Sequence, residues 1–135
     1  MEPRLKTSGG EQGPIPDIVV CNSRAIIGVV ELKYLPRTTA KVDKDMDTLR
    51  WIAVQSRRIR LSNWRYSGVR GDAKEYSLAN DVLLCWAEVH RGFREALESR
   101  VPGEVRPYFM GIQALKREGK HTEIISSYRL RKQNG

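Results

Sequence analysis

The sequence predicts a mixed α/β protein, a central sheet flanked by helices. Three observations carry that prediction. Two apolar runs follow each other over residues 15–22 and 25–35. A helical repeat of apolar residues comes directly after them. Further apolar runs cover 81–90, 105–116 and 122–131. Strands interleaved with helices in this order give an α/β layer architecture.

The elements read as follows. Residues 1–14 are polar and glycine-rich, with Ser8-Gly9-Gly10 and Gly13-Pro14, and read as a flexible arm. A single domain is expected over 15–135. Residues 15–22 (IPDIVVCN) form a strand pattern, with Val19 and Val20 as β-formers. Asn22-Ser23-Arg24 is a turn signal. Residues 25–35 (AIIGVVELKYL) are apolar on both faces, as in a central strand covered on both sides. Gly28 marks a bulge or a close approach.

Pro36 stops this strand, and Thr38 or Thr39 can cap a helix. Val42, Met46, Leu49 and Ile52 or Ala53 then recur at helical spacing, predicting a helix over 39–58. Asp43, Asp45 and Asp47 in its early turns and Arg57, Arg58 and Arg60 at its end suit the helix dipole. Residues 62–80 are polar, contain Gly68 and Gly71, and read as a loop. Residues 81–90 (DVLLCWAEVH) form a strand and 92–100 a short helix ended by Pro102-Gly103. Residues 105–116 and 122–131 form a hairpin around Glu118-Gly119-Lys120.

Composition narrows the function classes. The 135 residues carry a formal net charge of +8, and the pI is about 9.8. A polyanionic partner is favoured, nucleic acid first and an anionic surface second. No apolar stretch is long enough for a membrane-spanning helix, and Met1-Glu2-Pro3-Arg4 lacks the apolar core of a signal peptide. An intracellular, cytoplasmic protein without membrane contact is expected. Cys21 and Cys85 lie in apolar runs and read as buried thiols of a reducing compartment, with a disulfide between them left open. With two Cys and two His and no close pairing among them, a zinc site is not expected.

The chemistry concentrates in Pro16-Asp17 and Glu31-Leu32-Lys33. Glu31 and Lys33 lie two apart in a strand and project from one face. Asp17 joins them if the hairpin register allows. Should opposed residue numbers sum to 48, Asp17 faces Glu31 with Cβ atoms roughly 5 Å apart; a sum of 46 makes them diagonal neighbours at roughly 7 Å. An odd sum, which a two-residue turn at Ser23-Arg24 would give, turns Asp17 to the other face. An odd-numbered loop or a compensating bulge, which Gly28 could allow, restores it. Two carboxylates and an ammonium on a buried sheet are costly unless something neutralises them, and a divalent cation would do so.

With thirteen residues between Asp17 and Glu31, this arrangement resembles the PD-(D/E)XK phosphodiesterase superfamily, which has the restriction-endonuclease-like fold. The likeness covers roughly residues 15–60, with Asp81–Arg91 as the plausible next strand. It implies that Asp17 and Glu31 bind Mg²⁺ or Mn²⁺ with the Leu32 carbonyl. It further implies that Lys33 orients or activates the attacking water. Asp17, Glu31 and Lys33 are thus the expected catalytic residues of a metal-dependent nuclease, with DNA ahead of RNA as substrate. The chain departs from the superfamily in one respect: a helix and a strand usually precede the Pro-Asp strand, whereas here a polar arm does. The alternatives are a non-catalytic nucleic-acid-binding relative, a fragment of a larger nuclease, or a structural protein.

Arg57, Arg58, Arg60 and Arg65, interleaved with Trp64 and Tyr66, are the expected nucleic-acid contacts. A solvated helix end explains them equally well. His90 ends a strand with Glu88 at the same parity, and a lone histidine is more often structural. His121 falls in a turn. No Walker or dinucleotide fingerprint is present. A homodimer is left open by the sequence.

Overall fold

The computed structural model describes residues 4–35, 42–63, 74–90, 98–116, 119 and 121–130. The strands are β1 (Lys6–Thr7), β2 (Ile18–Cys21), β3 (Ala25–Leu35), β4 (Ile59–Asn63), β5 (Lys74–His90), β6 (Phe109–Lys116) and β7 (Thr122–Arg129). The helix α1 spans Val42–Gln55. It is the one α-helix among the described residues, accompanied by short 3₁₀ turns at Ser56–Arg58, Glu98–Arg100 and Arg106–Tyr108. The architecture is therefore mixed α/β but strand-rich, with one flanking α-helix among the described residues. None of the described helices is long and apolar enough to cross a membrane.

All seven strands belong to one sheet organised on β5. Along one side of β5 runs β3, parallel to it. On the other side, the start of β5 pairs antiparallel with β4, and its second half pairs parallel with β6. Strand β2 continues the sheet beyond β3, β1 beyond β4, and β7 beyond β6. A parallel β3/β5 pair needs a crossover, and α1 supplies its helix.

Burial follows the helical period. Val42, Met46, Leu49 and Ile52 of α1 are buried, as their spacing predicts. They belong to one core with Val29, Leu84, Trp86 and Phe109 of the sheet. Only one face of β3 is covered in this way. On the other, Leu32 and Tyr34 are about half exposed, with Ile18 and Val20 of β2 nearly as open. The expectation of a strand covered on both sides thus holds for one face among the described residues.

Two parts of the chain differ from the sequence reading. Residues 4–14, expected as a flexible arm, fold back onto the sheet. Leu5 is fully buried and Thr7 nearly so. The Leu5 amide donates to the Pro14 carbonyl, and β1 pairs with β4. Gly13 packs so tightly on Trp51 that a Cβ there would collide with the indole. One leucine and a close glycine contact anchor a segment whose overall composition is that of a linker.

The second difference concerns 62–80. The described part of this expected loop belongs to β4 and to the start of β5. Ile59, Leu61 and Tyr76 point inward between polar neighbours, a period-2 signal diluted by charge. The expected strand 81–90 is the second half of β5. Residues 64–73 and 91–97, which include most of the expected 92–100 helix, lie outside the described residues. The 122–131 arm of the predicted hairpin appears as β7, paired with β6. Cys21 and Cys85 are free thiols, both pushed above their ordinary pKa by burial.

Candidate functional site

The β2–β3 hairpin decides where Asp17 goes. Asn22 builds the turn: its side-chain Oδ1 accepts from the amides of Arg24 and Ala25, each at 2.8 Å. The backbone closes around Ser23-Arg24 through Asn22 N–H donating to Ala25 O. This two-residue turn alone would turn Asp17 away from Glu31. The register then shifts. Cys21 pairs with Ile26, but Val20 pairs with Gly28, so Ile27 is bulged. From there Val19 faces Val29 and Ile18 faces Val30. One further step sets Asp17 across from Glu31, the register whose paired numbers sum to 48.

Strand β2 begins only at Ile18, and Asp17 completes the pairing with its side chain. The Leu32 amide donates to Asp17 Oδ2 at 2.7 Å. That bond pins an otherwise exposed carboxylate against the backbone of β3. It lies at the residue whose carbonyl is the expected third oxygen ligand.

Glu31 is buried at 6% exposure, and its carboxyl is hydrogen-bonded to Asp17. Its pKa is pushed up to about 8. Burial is the largest cause, followed by the negative charges of Asp17 and Asp45 and by the bond to Asp17; Lys33 opposes them. At neutral pH Glu31 therefore keeps its proton.

Lys33 projects from the same face. Its Nζ stands 3.2 Å from Asp45 Oδ2. That oxygen also accepts from Trp86 Nε1 at 3.1 Å. Asp45 is 4% exposed, a buried carboxylate on α1 brought over the sheet by the helix. Sequence reasoning missed its role and assigned it to the helix dipole. The signal was present: Asp45 lies three residues after Val42 and four before Leu49, on the apolar stripe. An aspartate in a buried stripe needs a partner, and Lys33 and Trp86 provide it.

The polar row continues inward. Glu31 is aligned with Trp86, and Lys33 with Glu88. Glu88 is in turn aligned with Gln113 of β6. Gln113 Nε2 donates to Glu88 Oε1 at 2.6 Å, and both are buried. His90 follows on the same face at 3% exposure, with neither ring nitrogen hydrogen-bonded among the described residues. Shared strand parity thus places Glu88 and His90 on the face of the acids. Gly111 leaves room for the Tyr128 ring, which packs against Phe109 at 6.1 Å.

The structure therefore brings Asp17, Glu31 and Lys33 together and adds Asp45. It does not bring the predicted arginines there. Arg57 and Arg58 are exposed beyond the far end of α1. Arg60 is engaged structurally, donating to the Arg57 and Ile59 carbonyls and facing Glu75 at 3.5 Å. Arg65 lies outside the described residues, as do Trp64, Tyr66 and Arg70.

Among the described residues, no three carboxylate, histidine or cysteine side chains form a group able to hold a metal ion. The donor set that fits a hard cation is smaller: two carboxylates and a backbone carbonyl, with water making up the rest. Glu31 keeps its proton because burial and the neighbouring carboxylates disfavour its negative charge. Compared with protein-family models, with curated proteins and with solved structures, the chain matches none.

Proposed function

We propose that this protein is a metal-dependent nuclease that hydrolyses phosphodiester bonds of nucleic acid, with DNA the favoured substrate. The observation that carries the reading is the meeting of Asp17 with Glu31. A protonated, buried glutamate against a pinned aspartate is a poor structural choice and a good cation site. The restriction-endonuclease-like core is part of the same proposal. Support comes from the order of parts: a hairpin bearing Pro-Asp and Glu-x-Lys, an amphipathic helix and, after the intervening β4, a strand parallel to the Glu-x-Lys strand.

A bound Mg²⁺ or Mn²⁺ supplies charge neutralisation, polarisation of the phosphoryl oxygen and a more acidic water. Asp17 and Glu31, with the Leu32 carbonyl, are the residues that would hold it. Glu31 would have to release its proton to water to hold the cation. Lys33, charged and fixed by Asp45, holds the attacking water and stabilises negative charge developing on the phosphate. Asp45 keeps the lysine aimed along the sheet face. The net charge of +8 draws the polyanion to the protein.

The test is a plasmid-nicking assay with Mg²⁺ or Mn²⁺ and with EDTA. Cleavage that needs metal and disappears in Asp17→Asn and Lys33→Ala supports the proposal. Salt-dependent DNA binding without any cleavage would replace it with the non-catalytic relative.

A further inference from the structure

We propose that a depression at the C-terminal end of α1 is a nucleobase pocket, holding one base of a nucleic-acid strand with its phosphate on Arg57. This rests on the nucleic-acid part of the reading above, but not on catalysis.

Three irregularities of the chain meet there. The helix ends where Ser56 takes φ 42°, a left-handed conformation that a serine adopts at a cost. Strand β5 bulges: Ala79 to Val82 span the space opposite Ile27 alone, between the pairs Ile26/Leu78 and Gly28/Leu83. The turn Arg106–Tyr108 brings Tyr108 alongside. Together they line an open pocket of about 270 Å³. Bulges and strained residues recur at binding sites because they re-aim side chains that a regular element would misplace.

The lining has the chemistry of base recognition. Ala53, Leu78 and Val82 give an apolar floor, and Tyr108 adds an aromatic ring. Ser56, Arg57 and Asn80 stand at the polar positions. The side chains of these last three and of Tyr108 have no hydrogen-bond or ionic partner among the described residues. An aromatic ring offers a stacking surface, an amide reads a base edge, and a guanidinium takes a phosphate. The volume lies just below the range of about 300–1,000 Å³ for larger ligands, which suits a single nucleoside. Ala53 lies just over two helical turns from Asp45, about 12 Å along the axis.

The test is an NMR titration of the full chain with each of the four 5′-nucleoside monophosphates and, separately, with inorganic phosphate. At least one nucleotide should shift the Ala53, Leu78, Ala79 and Asn80 amides saturably, and inorganic phosphate should bind more weakly. Arg57→Gln, at an exposed position, and Ala53→Phe, which fills the cavity, should each weaken binding about fivefold or more. Ser56→Gly should raise the melting temperature while weakening the nucleotide. Absence of saturable shifts with all four nucleotides would overturn the pocket. So would affinity unchanged in both Arg57→Gln and Ala53→Phe, or inorganic phosphate binding as tightly as a nucleotide. Because the readout is binding, a failure of plasmid cleavage counts against the nuclease proposal alone.

Discussion

Lys33 Nζ lies 3.2 Å from Asp45 Oδ2, so the lysine of the Glu-x-Lys pair is held by a carboxylate from the crossover helix. A buried aspartate left alone is costly, and removing one member of such a pair typically costs about 3–5 kcal/mol when both are fully buried. Lys33 is partly exposed, which lowers that figure. Asp45→Ala should destabilise the protein by about 1–3 kcal/mol, and Asp45→Asn by less, because an amide oxygen still accepts from Trp86. Urea unfolding measures the difference. Both variants should lower cleavage.

Lys33→Ala removes the ammonium from the reaction and should reduce the cleavage rate about 10²-fold or more. Lys33→Arg should rescue little, since a planar fork cannot replace a point charge beside one carboxylate oxygen. Nicking kinetics on both variants, with circular dichroism to verify folding, check this. Full activity in Lys33→Ala would remove the lysine from the chemistry.

Stability should depend on pH through Glu31. Its folded-state pKa of about 8 lies above the ordinary 4.5. Between these values the folded protein keeps a proton that the unfolded chain has released. Stability is then greatest below pH 4.5 for this group and falls as pH rises through 8, by up to about 1.4 kcal/mol per pH unit. Glu31→Gln should flatten that slope. Added Mn²⁺ should oppose it, since the cation competes with the same proton and binds better at higher pH. Thermal melts from pH 5 to 9, with and without metal, test all three statements.

Leu5 is fully buried in a segment of linker-like composition. Leu5→Ala should cost about 2–4 kcal/mol, in the range of other buried leucines. A change near zero would return residues 4–14 to the status of an arm. Denaturant midpoints settle the point.

Much of the site was legible because short-range rules govern it. Strand alternation located the hairpin, and parity put Glu31 and Lys33 on one face. The register argument required an odd-numbered loop or a bulge, and the chain takes the second, with Ile27 bulged beside Gly28. Asp45 was harder. Its helical spacing pointed inward, but acidic residues at a helix start have a sufficient local explanation in the dipole. Strands β1, β4 and the first half of β5 were hidden because their polar residues alternate with few apolar ones. Their stability comes from pairing partners distant in sequence, which local pattern does not carry. Covering of β3 on both faces was inferred from its composition, yet a strand can be apolar on a face that the described residues leave open.

Isothermal titration calorimetry with Mn²⁺ at pH 8 tests the shared cation site most directly. One ion should bind per wild-type chain, with affinity falling about tenfold or more in both Asp17→Asn and Glu31→Gln. No uptake by the wild type, or equal uptake when Asp17 has lost its charge, would contradict a metal held between these two carboxylates.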